Sequence, residues 1–449
     1  MIHTQRLARG VAGVAAALVA LSACGSPATT PAPTTDTKPS QSAPTQDVTI
    51  SWWAWNAPLP EDTVAAFEAA NPGIKVEFTA YSNADYLNNL RSALTSPTGP
   101  DVLQLAPGGM VVNYGELVED LAPLAATEWG ADWQTKFNEL GLTQLASSAK
   151  QVGFPSYMSA AGFIYYNADI LAETGTEVPK DLAEWEQTCK TLKDAGYDCL
   201  AHGAKDAWVN LDVYLALINS VKPGLVYDAI AGTTDWTGPE FVQAMEAWQS
   251  LFTTGIIPAG ATAVAEYPDA FTSFLEGKAA FIALGTWNTP GTMTKTGLAV
   301  SQQSVSTPID SIFLSAPFPG AAAGIAPSGA FGGPDNGWAI SSQSAHKEAA
   351  WKLLAFLAGE PGQTIQAGLG NFPALLSVPV STTDVVDPRQ AADIERQQEA
   401  LANLVGFRQI PYPDLEVALG QALSEVAAGT AEPAAALANV QSVSASLSR

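Results

Sequence analysis

The sequence predicts an α/β fold with parallel-rich sheets flanked by helices. Three observations carry this reading. The first hundred or so residues after a polar N-terminal stretch alternate strand and helix patterns, the strands are rich in β-branched and aromatic residues, and Pro or Gly punctuates each boundary. Val48 to Trp55 reads as the first strand. Pro60, Glu61 and Asp62 suit a first helical turn, and Val64, Phe67 and Ala70 follow at helical spacing until Asn71-Pro72-Gly73. Ile74, Val76 and Phe78 alternate with Lys75, Glu77 and Thr79, as in a half-buried strand. Asp85 is expected to cap a second helix with Leu87, Leu90 and Leu94 on its apolar side, and 101–105 to be a short buried strand.

Strands alternating with helices imply right-handed crossovers, and ligands then bind outside the carboxyl ends of the strands. Trp55, Asn56, Tyr81 and the Gly108–Gly109 loop are delivered there. No Gly-rich phosphate cradle follows any of these strands. Further on, 162–166 reads as a strand and Asn167 as a helix start. Residues 179–185 open a helix that carries Leu192. Phe241, Met245, Trp248 and Phe252 mark another helix, and 277–284 a buried strand with Gly285-Thr286-Trp287 at its carboxyl end. Residues 332–337 have turn chemistry, with Gly333 offering an N–H and Asp335 an acceptor. A strand at 338–340, a helix from Ser344 and an alanine-rich helix from 414 to 447 complete the pattern.

The 449-residue chain is long enough for more than one core, and 47% hydrophobic content excludes global disorder. Its formal net charge of −24 opposes nucleic acid as a partner. Arg6 and Arg9 precede an apolar run over 11–21, a secretory signal pattern too short to span a bilayer. The run meets Leu21-Ser22-Ala23-Cys24, which resembles the bacterial lipobox. The expectation is a signal peptide over 1–23, lipid on Cys24 and a Pro/Thr/Ser tether over 24–46 that holds the protein on the outer face of the membrane. The other two cysteines, Cys189 and Cys199, are expected to form a disulfide after export. With 3 histidines in the chain, neither a metal nor another cofactor is expected.

Five segments, in order, carry a family resemblance: 67–76 (FEAANPGIKV), 99–102 (GPDV), 153–156 (GFPS) with 165–167 (YYN), 274–281 (FLEGKAAF) leading to Gly285-Thr286-Trp287, and 346–354 (HKEAAWKLL). Together they resemble the family 1 extracellular solute-binding proteins of ABC sugar importers, which include maltose-binding protein. The resemblance implies the two-lobed, type II periplasmic-binding-protein-like fold with a hinge. Lobe 1 would comprise 47–157 plus about 318–372, and lobe 2 158–317 plus about 373–449. It also implies a monomer that clasps a sugar or oligosaccharide and hands it to permease subunits. Carried onto this chain, it makes Trp287 a surface for stacking on a sugar ring, gives polar contacts to Trp55 and Asn56, and matches Asp206 and Trp208 loosely to a second-lobe loop. Ser159 stands where the maltose-binding relative has a ligand-binding Glu, just after the crossing near Tyr157.

Aromatic faces pack on the C–H face of a pyranose, so Trp55, Trp208 and Trp287, in loops beside polar residues, are set apart from Trp185 and Trp248 on amphipathic helices. Arg408 offers N–H donors to sugar oxygens, with a surface ion pair as its other reading. No nucleophile elbow, His-Glu-x-x-His or P-loop is present, and nothing marks a carboxylate pair such as Glu266 and Asp269 for glycoside hydrolysis. The expected role is binding, not catalysis. A secreted carbohydrate-active hydrolase and an adhesion lipoprotein are the alternatives.

Overall fold

The computed structural model describes residues 47–449 except Asn56, Pro58 and Leu59. The signal peptide, Cys24, the tether and Asn56 therefore lie outside the described residues. Among the described residues, thirteen strands follow in order: β1 Val48–Ala54, β2 Ile74–Ala80, β3 Val102–Leu105, β4 Ala146–Ser147, β5 Lys150–Gln151, β6 Phe154–Pro155, β7 Met158–Ala161, β8 Phe163–Asn167, β9 Asp198–Ala201, β10 Ala279–Ile282, β11 Phe313–Pro317, β12 Phe331–Pro334 and β13 Gly337–Ile340.

Two larger sheets organise them. The first has the order β2-β1-β3-β13-β6 and the second β11-β8-β10-β9. β1 pairs in parallel with β2 and β3, as the opening alternation implies. β13 then enters antiparallel to both β3 and β6. In the second sheet β9 and β10 are parallel, and β8 runs antiparallel to β10 and β11. The sheets are thus mixed, because the chain leaves and re-enters each of them.

β7 follows β6 of the first sheet and leads into β8 of the second, while β12 runs back from β11 to β13. The two crossing strands pair antiparallel, Phe331 opposite Ala161 and Pro334 opposite Met158. A third crossing runs past Phe372, whose carbonyl accepts the Met158 N–H at 2.7 Å. Of the turn expected over 332–337, Gly332, Gly333 and Pro334 are therefore strand. Gly332 fits there because a side chain would collide with the Ser159 carbonyl across the ribbon.

Each sheet has its own core. In the first, Trp52, Phe154 and Trp338 pack with Trp351, Leu353 and Leu354 of the helix Lys347–Ala358. That helix starts three residues later than expected, with His346 at its N-cap. In the second, Trp185, Trp248 and Phe281 are buried with Leu211 and the run 213–218 of the helix Ala207–Val221. Fully burying such side chains contributes about 1.5–3 kcal/mol each.

Three local expectations need correction. Ser82, not Asp85, caps the helix Asn83–Leu94, because the Ser82 hydroxyl accepts the Asp85 N–H. Leu87 is exposed, and Tyr86, Leu90, Ala93 and Leu94 form the buried side. The alanine-rich C-terminus is two helices, Pro413–Ala427 and Pro433–Ser446, because Gly429 adopts φ +70° and Pro433 opens the next helix. Cys189 and Cys199 are bridged, with Cα atoms 5.1 Å apart, and tie the helix Leu182–Asp194 to β9.

Candidate functional site

β10 is buried at every position and ends at Ile282, and the buried Ala283 and Leu284 lead from it to Gly285, so Trp287 is set just past its carboxyl end by a rigid stem. Gly285 is required there: a side chain would overlap the six-membered ring of Trp287 and the Ala160 carbonyl. The turn is bolted to the crossing strand and to β8. Thr286 Oγ1 accepts the Ala160 N–H at 3.0 Å, and Tyr165 Oη donates to the Gly285 carbonyl at 3.1 Å.

Two further aromatics meet Trp287. Its Nε1 donates to Tyr267 Oη at 3.2 Å, and Tyr267 Oη donates to Asn288 Oδ1 at 3.0 Å. Trp208, in the first turn of the helix Ala207–Val221, lies parallel to the Tyr267 ring, 8° apart with centroids at 5.9 Å, and meets Trp287 edge-on at 6.2 Å. Arg408 closes the group. Its Cζ lies 3.9 Å from the Trp287 centroid, and its Nε and Nη2 donate to Asp212 at 2.8 and 2.9 Å. The side chains of this pair are only 14% and 9% exposed, so the surface ion pair is in fact a buried one.

The carboxyl groups around this cluster are strongly perturbed. Burial raises the Asp212 pKa against the opposing effect of Arg408. Glu266 is fully buried and is pushed up to about 8 by burial, with the Gly203 N–H opposing and Asp206 and Asp212 adding to the rise. Burial also pushes Glu416 up to about 7, against the pull of Arg408. Glu266 is pinned at both ends: Oε2 accepts the Gly203 N–H at 2.6 Å, and its own N–H donates to Asp206 Oδ2 at 2.7 Å. That contact occupies one oxygen of Asp206 within the protein.

At the crossing ribbon, Asp335 accepts from Ser159 Oγ at 3.2 Å and from Asn336 Nδ2 at 2.8 Å. The polar chain continues from Gln104 Nε2 to Asn336 Oδ1 at 3.0 Å, and from the Trp55 N–H to Gln104 Oε1 at 2.9 Å. It links the carboxyl end of β1 to the ribbon. Tyr157 is buried, and its carbonyl accepts the Asp335 N–H at 3.1 Å. Gly333 has φ +156° and faces the side chain of Gln144.

At the first sheet's edge, Trp55 packs edge-on against Tyr86 and Tyr81 stacks at a tilt on Trp53, each pair with centroids 4.9 Å apart. Gly108 has φ +70°, and a Cβ there would lie 2.8 Å from the Ile410 carbonyl oxygen. Gly109 faces Pro413 and Glu416. The loop after β3 therefore rests on the segment that follows Arg408.

The expected residues thus fall into three groups. Asp206, Trp208, Trp287 and Arg408 sit together at the second sheet. Tyr157, Gly333 and Asp335 lie along the ribbon, and Trp55, Tyr81, Gly108 and Gly109 belong to the first sheet's edge. Sequence reasoning missed Tyr267 and Asp212. Asp212 left a signal, being the one charge within the helix Ala207–Val221.

Residues 53–364 match the family described as bacterial extracellular solute-binding protein. A galactooligosaccharide-binding protein of Bacillus subtilis is 27% identical over 243 residues, 51% of this chain and 52% of that one. A solved chitin oligosaccharide binding protein superposes with a TM-score of 0.72 at 22% identity, covering 89% of this chain and 98% of the other. A maltose-bound MalE3 of T. maritima gives 0.70 at 20% identity, over 88% and 98%. These likenesses establish the two-lobed periplasmic-binding-protein-like fold. By the extent of the matched segment, this chain belongs to the family of bacterial extracellular solute-binding proteins.

Proposed function

We propose that this protein binds a carbohydrate between two lobes, 47–157 plus about 318–372 and 158–317 plus about 373–449, and delivers it to the permease of an ABC importer. The observation that carries the reading is a set of hydrogen-bonding atoms beside aromatic rings. Asn288 Nδ2, next to the Tyr267–Trp287 pair, is buried without a partner, as are Gln144 Oε1 at the ribbon and Gln409 Oε1 next to Arg408. Buried polar atoms of this kind are costly unless satisfied, and sugar hydroxyls both donate and accept. The rings of Trp55, Tyr81, Trp208, Tyr267 and Trp287 supply the apolar faces that pyranose C–H groups need. The binding partners named for the similar proteins, galactooligosaccharide, chitin oligosaccharide and maltose, support the carbohydrate class.

The test is a thermal-shift screen of mono-, di- and trisaccharides and polyols, followed by calorimetry and product analysis. A ligand at a hundred times its Kd stabilises by about 2.7 kcal/mol, a clear upward shift in melting temperature. The expected result is such a shift with the sugar recovered unchanged. Hydrolysis of the hit would favour the enzyme reading, and silence across the panel would end the carbohydrate one.

Anchoring at the outer face of the membrane through Cys24 belongs to the same proposal and rests on the lipobox-like Leu21-Ser22-Ala23-Cys24. Cys24→Ser should release the protein from the membrane fraction or leave it unprocessed. Unchanged processing and retention would exclude lipidation there.

A further inference from the structure

Closing two lobes on a ligand requires the chain segments that cross between them to bend. Here the crossings are β7, β12 and the chain that runs past Phe372. Where they leave the first sheet, one side chain holds two of them. Gln363, on the helix Glu360–Gly368, is wholly buried. Its Nε2 donates to the Pro155 carbonyl at 3.3 Å and to the Ser156 carbonyl at 2.6 Å, just before β7. Its Oε1 accepts the Ala374 N–H at 2.6 Å and the Leu375 N–H at 3.2 Å. Both donors and both lone pairs of the amide are therefore engaged by backbone. Ser156 extends the link to the remaining crossing: its N–H and its Oγ donate to the Asn336 carbonyl, between β12 and β13, at 3.0 and 3.1 Å.

The three crossings are thus joined at one level, 155–156, 336 and 374–375. A second level lies toward the other sheet, where the Ala160 N–H bonds Thr286 Oγ1 at 3.0 Å and the Gly332 N–H bonds the Gly406 carbonyl at 2.9 Å. Between the levels, 157–159 and 333–335 face each other across the ribbon, Gly333 opposite Ser159 and Pro334 opposite Met158. Displacing the first level would break several bonds at once and leave buried backbone groups unsatisfied, which is costly. Bending therefore falls on the ribbon between the two levels.

We propose that Gln363 is a positioning residue of the hinge. It fixes the first-sheet ends of the crossings, so that closure bends the chain at 157–159 and 333–335, and it sets the fraction of molecules ready to clasp a ligand. The last clause rests on the carbohydrate-binding reading above, whereas the hinge itself is tested without any ligand.

The distance between spin labels on Leu87→Cys and Val300→Cys decides this. Both positions are exposed, one on the helix Asn83–Leu94 beside the first sheet and one on the helix Lys295–Ser301 beside the second. The labelled chain carries Cys24→Ser, and its other two cysteines are bridged. Gln363→Met keeps the length of the side chain without its bonds, and should broaden the distance distribution of the ligand-free protein. By calorimetry it should also bind about threefold to tenfold more weakly to whichever of raffinose, maltotriose and chitotriose the wild type takes, because fewer molecules are ready to close. Ser156→Ala removes one bond of the same link and should broaden the distribution less. Gln151→Met is the matched control, since buried Gln151 Nε2 donates to the Leu142, Leu145 and Gly153 carbonyls, all short of the crossings. It should lower the melting temperature as Gln363→Met does, with wild-type distances and affinity. Wild-type distances in Gln363→Met overturn the assignment, and if that variant does not fold, wild-type distances in Ser156→Ala do so. Equal broadening in Gln151→Met also overturns it, because loss of any buried amide would then loosen the hinge. If the wild type binds none of the three probes, the distances still decide the hinge, and it is the carbohydrate reading that falls for this panel.

Discussion

Replacing Glu266 by Gln is expected to stabilise the protein at pH 8 and to flatten the dependence of its stability on pH. Glu266 is fully buried, with one oxygen on the Gly203 N–H and the other unpartnered. Burial raises its pKa to about 8 against an ordinary value of 4.5. Between those two values the folded chain holds a proton that the unfolded chain has released. Stability is therefore fully present below about pH 4.5, falls as pH rises, and levels off above about pH 8, with a total loss of several kcal/mol by linkage. Glu416, raised to about 7, adds a smaller fall of the same sign. A Gln at 266 keeps an acceptor for Gly203 and has no proton to lose. Urea unfolding of both proteins at pH 5, 6.5, 8 and 9 measures this directly, and parallel pH profiles would show that Glu266 ionises normally.

Arg408→Ala should cost about 3–5 kcal/mol at pH 7, because it leaves Asp212 buried without its cation. The Asp212 pKa is already raised by burial and is held down only by Arg408. In the variant it should rise further, so part of the lost stability returns as pH falls and Asp212 takes up a proton. The double change Arg408→Met with Asp212→Leu removes both charges and keeps apolar bulk. It should recover most of the stability, since a buried pair is often replaceable by well-packed apolar groups. It should not recover ligand binding, because the donors over Trp287 are gone. A double variant as unstable as Arg408→Ala alone would mean that the loss comes from packing on Trp287 rather than from the stranded carboxylate.

What could be read from sequence follows from how local each determinant is. β1, β2 and β3 were legible because alternation and Pro or Gly breaks act within a few residues. The antiparallel entry of β13 was not, since its partners β3 and β6 lie far upstream. Gly332–Pro334 looked like a turn by composition, yet pairing across the ribbon to β7 imposes strand geometry on it. In the site, Trp208 and Trp287 were visible as residue types beside polar loops. Tyr267 sits in a Glu-Tyr-Pro-Asp stretch that reads as ordinary surface, and only the fold brings it against them. Arg408 and Asp212 are 196 residues apart, and no local pattern marks such a pair.

The position of β13 has a consequence for how the chain comes into being. Its neighbours β3 and β6 are made early, yet the strand that joins them comes much later. Gln104 and Asn336, which share a hydrogen bond at this seam, are 232 residues apart. At about 5–20 residues per second of synthesis, that gap lasts roughly 10–50 seconds. Throughout it, the side of β3 that β13 will occupy has no sheet partner, and the apolar faces that await the helix Lys347–Ala358 are uncovered. The first sheet is therefore not complete until β13 has been made, long after the strands on either side of it.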